Sequence, residues 1–166
     1  YLLGGLAPDN DIPMSLETRK LVMDNWRRVQ DIVPATEFNY EFWHLNIPKR
    51  STYISCRAVI SARIQNPKFE RAMIDAIQYA YYLKAQNPSE ETVLFDLAEN
   101  IGLNIQAFKK DLNSPRVNNS LLKEIEFSRL MPISRLPSLV LSKNDTLTQI
   151  RNNYINDNFT INQILA

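Results

Sequence analysis

The sequence predicts an α/β chain in which a block of helices stands ahead of a closing strand–turn–strand–helix unit. Three observations carry this expectation. Pro137 directly precedes the strand-type run Ser138-Leu139-Val140-Leu141. Residues 143–150 then supply a polar turn and a second alternating strand, which together read as a hairpin. Between Ser15 and Pro132 the chain divides into apolar-periodic stretches, each with helix-type start and stop residues.

Taken in order, Gly4 and Gly5 with Pro8 and Asp9 form a tight loop; two glycines without a following Lys-Ser/Thr do not make a phosphate cradle. Ser15 caps a first helix with Glu17 in its opening turn, and an apolar stripe of Leu16, Val22, Trp26 and Val29 runs to the stop at Pro34. Residues 36–48 are rich in aromatic side chains and end at Ile47-Pro48. The next helix starts at Ser51 or Thr52 and turns Cys56, Val59, Ile60 and the stem of Arg63 inward. Lys68 to Gln86 forms another, with Phe69, Met73, Ile77 and several alanines on one side. Ser89 is expected to cap the following helix, whose stripe ends at Gly102, the residue suited to a left-handed cap. Asn104 opens a short helix through Phe108 and Leu112. Ser114 and Pro115 open a long one carrying Val117, Leu121, Leu122, Ile125 and Leu130 to the break at Pro132. Phe159 to Ala166 closes the chain with a helical pattern of Phe159, Ile161, Ile164 and Leu165.

Composition bounds the function. With 45% hydrophobic residues among 166, the chain suffices for a packed core of one or two small units. A net charge of +1 gives no field strong enough to recruit nucleic acid or an anionic membrane, and no apolar run approaches a membrane span. One cysteine, Cys56, excludes an internal disulfide framework and makes a reducing compartment the expectation. Cys56 lies on an apolar stripe and reads as a small core residue rather than a nucleophile. His44 is the only histidine and sits among aromatics, which leaves no basis for a His-based metal site or triad. The pairs Glu90-Glu91 and Glu124/Glu126 read as helix starts and solvated faces. Tyr79, Tyr81 and Tyr82 either line a groove or pack a helix on two sides.

Pro137 has no N–H and belongs at a first strand position, where an X–Pro bond can be cis; the backbone of Leu136 would then face outward, free to pair with an extended segment of another chain. Several segments add to this. Gly4-Gly5-Leu6-Ala7-Pro8 with Met14, Phe42-Trp43 and Arg50-Ser51-Thr52-Tyr53 are three of them. Cys56-Arg57-Ala58-Val59-Ile60, Ala76 to Leu83 with Asn87-Pro88-Ser89, and Pro137 to Leu141 are the others. Together they resemble the DsbA family of thiol–disulfide oxidoreductases in its bacterial FrnE-like branch. The resemblance covers essentially the whole chain. It implies a thioredoxin-like fold with an inserted all-α domain: 1–14 and 114–166 would form the thioredoxin-like part, and 15–113 the insertion. Tyr1-Leu2-Leu3 would be the second strand of that fold.

The family's Cys-x-x-Cys is not in the sequence. The first strand, the motif and its helix are expected upstream of residue 1, a unit of roughly 30 residues or more. The resemblance then implies dithiol–disulfide exchange on protein or peptide substrates by the complete protein, which the 166 residues with their single thiol cannot perform alone. Pro137 would pack against the dithiol, Leu136 would offer its backbone to substrate, and Arg135 would stand where many relatives have glycine. Arg50, Ser51 and Thr52 would be the insertion's contribution to the cleft. No cofactor is implied, and the branch is mostly cytoplasmic, with the periplasm left open by a start that would lie upstream. Two alternatives share the scaffold. One is a glutathione-dependent transferase or isomerase of the kappa or hydroxychromene-carboxylate type, with a serine in place of the first cysteine. The other is a binding module without catalytic cysteines.

Overall fold

The computed structural model describes residues 10–133, 138–153 and 155–165. The expected second strand at Tyr1-Leu2-Leu3, the Gly4-Gly5 loop and the Arg135-Leu136-Pro137 segment lie outside the described residues. Seven helices come first: α1 (Leu16–Ile32), α2 (Phe42–Leu45), α3 (Tyr53–Gln65), α4 (Lys68–Leu83), α5 (Glu91–Asn100), α6 (Ile105–Leu112) and α7 (Pro115–Arg129). The strands β1 (Leu139–Lys143) and β2 (Thr146–Ile150) and the helix α8 (Asp157–Leu165) follow.

The helix starts follow from side chains able to accept an orphan N–H. Ser15 accepts from Thr18, Asn104 from Ala107 and Ser114 from Val117, so these three expected caps are made. The α5 start differs. Asn87, nearly fully buried, accepts the Ser89 N–H at 3.1 Å and thereby holds Ser89 in a turn, so the helix begins one residue later with Glu90 at the cap position. At its other end α5 stops as expected. Gly102 has φ +85, its N–H donates to Glu99, and Leu103 donates back to Ala98, closing the full two-bond cap. A Cβ at Gly102 would meet nothing within 4 Å, so Gly102→Ala carries only the left-handed backbone penalty. We expect it to destabilise by about 1–2 kcal/mol; an unchanged urea midpoint would contradict this.

α4 ends at Leu83, three residues short of the expected Gln86, because Ala85 turns to φ +53 and lets Gln86 donate back to the Ala80 carbonyl at 2.9 Å. An alanine gives no sequence sign of that turn.

The core is built around α3, which packs against α4, α5, α6 and α7. Its burial therefore extends beyond the expected Cys56–Val59–Ile60 stripe to Ala58, Ser61 and Ala62, small residues that let neighbouring backbones approach. One cluster joins Ala58, Val59 and Ala62 to Met73, Leu94, Phe108 and Leu112; a second joins Cys56 and Ile60 to Val117, Leu121 and Ile125 on α7. Leu122 and Leu130, also expected inside, are exposed at 45% and 73% because the buried face of α7 runs through 117, 121, 124 and 125 instead. That face includes Glu124, which is buried and ion-paired with Arg63, not on a solvated face as its sequence context implied.

β1 and β2 form the expected hairpin, with Leu139 opposite Ile150 and Lys143 opposite Thr146. Its two-residue turn, Asn144-Asp145, has φ +51 and +59, the twist-matched geometry for such loops. α8 returns onto β2: Gln163 clasps the Arg151 backbone through both its amide atoms, and the buried Thr160 hydroxyl accepts the Asn153 N–H at 3.1 Å. Phe159, Ile161 and Ile164, which carry the helical pattern in the sequence, are each more than two-fifths exposed.

Candidate functional site

Three aromatic-rich pieces converge beside the α3 N-terminus. Trp26 on α1 is ringed by Phe38, Tyr40, Phe42, Trp43, Tyr81 and Tyr82, with centroids between 4.7 and 6.3 Å away. The segment at 12–14 lies antiparallel to 48–50. Met14 donates its N–H to the Pro48 carbonyl at 2.8 Å, and Arg50 donates its own to the Ile12 carbonyl at 3.4 Å. Asp11 fastens this strap through an ion pair with Lys49 at 2.7 Å, which holds the Asp11 carboxyl below its usual range and the Lys49 ammonium above its own.

Between the strap, α4 and the loop at 87–89 lies a pocket of about 360 Å³. Phe42, Ile77, Tyr81 and Tyr82 give it an apolar, aromatic lining, and Met14 and Pro48 form its strap side. Arg50, Ser51 and Thr52 all line it. Ser51 is buried and its hydroxyl accepts the Tyr53 N–H at 3.3 Å. Thr52 is the first-turn boundary of α3 and its carbonyl accepts the Cys56 N–H; its side chain caps no helical N–H. Ser55 donates to the Pro88 carbonyl at 2.9 Å, which locks the 87–89 loop against α3. Among the described residues two cations, Lys49 and Arg50, line the pocket and no carboxylate does. Burial pushes the Tyr81 and Tyr82 phenols up, so both are neutral at ordinary pH.

The structure thus brings Arg50, Ser51 and Thr52 together, while Arg135, Leu136 and Pro137 lie outside the described residues. Sequence reasoning left the tyrosines between two readings: Tyr81 and Tyr82 do both things, packing on Trp26 and lining the pocket, whereas Tyr79 is exposed under Lys84. It missed the strap. The visible sign was a matched pair of extended X–Pro steps, Ile12-Pro13 and Ile47-Pro48.

Other chemistry is not assembled among the described residues. His44 is exposed on α2, and no group of three His, Cys, Asp or Glu could hold a metal ion. Among the described residues no helix is long and apolar enough to cross a membrane. Cys56 is buried against α7, and burial pushes its thiol from 9.0 up to about 11. Since its folded value is raised, the stabilisation from keeping the thiol protonated is complete below about pH 9 and lost as pH climbs through about 11. Two consequences follow from a thiolate fraction about 100-fold below that of a free thiol. Native protein at pH 8 is expected to react with a disulfide reagent far more slowly than unfolded protein. Stability should also fall between pH 9 and 11, and Cys56→Ala should remove about 2 kcal/mol of that decline, the buried Tyr81 and Tyr82 phenols carrying the rest. Equal labelling rates for native and unfolded chains would contradict the assignment.

With this geometry in place, comparison with known proteins is informative. A family model described as thioredoxin matches residues 11–160. The ClpXP adapter protein SpxH of Bacillus subtilis is 29% identical over 121 residues, 73% of this chain and 40% of that protein. SpxH of Halalkalibacterium halodurans is 23% identical over 124 residues, 75% of this chain and 40% of its own. The chain therefore spans about 40% of the length of these curated relatives. Among solved structures, a Nitrosomonas europaea protein described as a candidate protein disulfide isomerase superposes with a TM-score of 0.79. It is 23% identical, across 94% of this chain and 76% of the other. The cytosolic disulfide reductase DsbM of Pseudomonas aeruginosa gives 0.70 at 19% identity, across 84% and 69%. The expected α/β architecture, a thioredoxin-like fold, is matched by these neighbours, and among the described residues helices predominate and the sheet has two strands. The chain belongs to the thioredoxin family.

Proposed function

We propose that these residues are the helical and closing part of a thiol–disulfide oxidoreductase acting on protein or peptide substrates, with its Cys-x-x-Cys supplied upstream of residue 1. The observation that carries the reading is a thioredoxin-family match over residues 11–160 on a chain whose own Cys56 is buried and protonated. The reacting sulfurs must then come from elsewhere. In this reading an upstream thiolate attacks a substrate disulfide, forming a mixed disulfide as the substrate's other sulfur leaves, and the second cysteine resolves it. Pro137 packs on that dithiol, Leu136 pairs its backbone with the substrate strand, and Arg135 borders the thiolate. Residues 15–113 form the inserted helical unit and the others the thioredoxin-like part. The exposed Leu139, Phe159, Ile161 and Ile164 fit this division, since a wider sheet and its helix would cover them. The protein is read as a bacterial, FrnE-like, cytoplasmic enzyme that needs no cofactor.

The test uses the full-length polypeptide. An intact mass above 19.3 kDa, two thiols beyond Cys56, and a loss of reductase activity of about tenfold or more in Pro137→Thr are the expected results. Full activity in Pro137→Thr would overturn the assignment.

The names of the curated relatives favour a second reading, a protein-binding adapter on the same scaffold. It predicts stable capture of a folded partner with no turnover of a disulfide substrate. A serine at the upstream helix start, with retention on immobilised glutathione, would instead indicate the glutathione-dependent alternative.

A further inference from the structure

We infer that the pocket beside the α3 N-terminus is a docking site for an extended polypeptide segment, one that inserts an apolar or aromatic side chain and sets a neighbouring carboxylate on Arg50. Three independent observations converge on that ligand.

The first is chemical. The lining is apolar and aromatic at its floor, and a volume of about 360 Å³ is enough for a large side chain. The second is electrostatic. Arg50 is exposed at the mouth, and among the described residues it has no ion-pair partner and shares a lining without a carboxylate. Lys49 is already committed to Asp11, so Arg50 is the available cation. The α3 N-terminus adds to the same sign, because Thr52 makes no side-chain cap and the Ser51 hydroxyl takes up the Tyr53 N–H alone among the first-turn donors of the described residues.

The third observation selects a polypeptide over a small organic acid. Pro13 and Lys49 are opposed in the strap, and the two strap hydrogen bonds flank them through residues 12, 14, 48 and 50. In antiparallel pairing that makes 13 and 49 a non-hydrogen-bonded pair, whose own backbone groups point away from each other. Pro13 has no N–H to offer on its side. Lys49 presents an N–H and a C=O outward, and neither has a partner among the described residues. This is an open edge one residue from Arg50, suited to strand addition. The apolar surface also continues beyond the pocket: Ile12 and Ile47, which flank the lining residues Met14 and Pro48 in sequence, are 64% and 67% exposed. A peptide bonded to Lys49 would have its residues alternating between pocket and mouth, so the acid belongs next to the inserted side chain.

The inference does not depend on the redox reading, since the site is built from helices and the strap and the assay reads binding alone. Full-length protein is titrated with a fluorescein-labelled peptide carrying a Glu-Phe-Glu core, followed by anisotropy. The expected result is saturable binding, weakened about tenfold when Phe is replaced by Ala, when both Glu become Lys, or when the Phe–Glu amide is N-methylated. Arg50→Glu, at an exposed position where the fold is insensitive, is expected to reverse the preference so that the Lys-Phe-Lys peptide binds more tightly than Glu-Phe-Glu; its melting temperature serves as the folding control. Three results would overturn the inference: no binding at millimolar peptide, indifference to the Arg50→Glu exchange, or competition by 3-phenylpropionate as effective as by the peptide, which would mark a small-acid site instead.

Discussion

Trp26→Ala is expected to destabilise the protein by about 4 kcal/mol and to release α1 while the helices around α3 stay protected. The magnitude follows from the site. Trp26 is 4% exposed and touches six rings, stacked on Phe38 at 4.7 Å and edge-on to Tyr40, Tyr81 and Tyr82. Removing it opens a cavity among rigid side chains that cannot collapse together. The location of the effect follows from α1. Trp26 is that helix's only buried residue, whereas Leu16, Leu21 and Ile32 are all more than half exposed. A helix of 17 residues without its anchor is marginal in water. Hydrogen exchange should therefore show α1 amides exchanging quickly in the variant and α3 and α7 amides still slow. Trp26→Phe keeps most of the ring contacts and should cost much less. A uniform loss of protection over all helices would mean that the aromatic cluster and the α3 core are one cooperative unit.

That modular packing also explains which parts of the fold were legible. Caps at Ser15, Asn104 and Ser114 and the stop at Gly102 are local devices, decided within four residues, and a sequence displays them. The hairpin was legible for the same reason, because Asn144-Asp145 accepts positive φ cheaply. Errors arose where a partner far along the chain decided the outcome. Glu124 was placed in solvent because an acid on an amphipathic helix normally is; its guanidinium partner lies 61 residues earlier, where no spacing rule reaches. Ser89 reads as a cap in the sequence because the competing Asn87 turn depends on that side chain being buried. α1 was given an apolar stripe that is real in sequence and largely uncovered in structure.

The candidate site divides in the same way. Arg50, Ser51 and Thr52 are named by resemblance as part of a cleft, and the pocket they line is put together by elements far apart in the chain. Its aromatic floor comes from the end of α4, and its strap rests on a single bridge between Pro13 and Lys49, too short to leave an alternation pattern. A site made by one bridge and a helix end is written in the packing, not in any local run of residues.

Arg63→Met should cost about 3 kcal/mol, more than its partner substitution Glu124→Gln, and the double variant Arg63→Met/Glu124→Leu should recover most of the loss. Arg63 on α3 pairs with Glu70 on α4 at 2.9 Å and with Glu124 on α7, so one guanidinium ties three helices. The two partners differ in burial. The Glu124 side chain is 9% exposed and its Oε2 has no hydrogen-bond partner, whereas Arg63 and Glu70 are 28% and 32% exposed. Deleting the arginine therefore strands a carboxylate away from water, which costs far more than leaving an arginine that can still reach Glu70 and solvent. Removing both charges and filling the space with apolar groups abolishes the desolvation penalty along with the attraction, the condition under which buried pairs are replaced at little cost. A double-mutant cycle in urea measures all three values. If Arg63→Met and Glu124→Gln prove equally mild and additive, the pair is a surface contact in energetic terms, and the α3–α7 contact rests on the apolar cluster of Cys56, Ile60, Val117, Leu121 and Ile125.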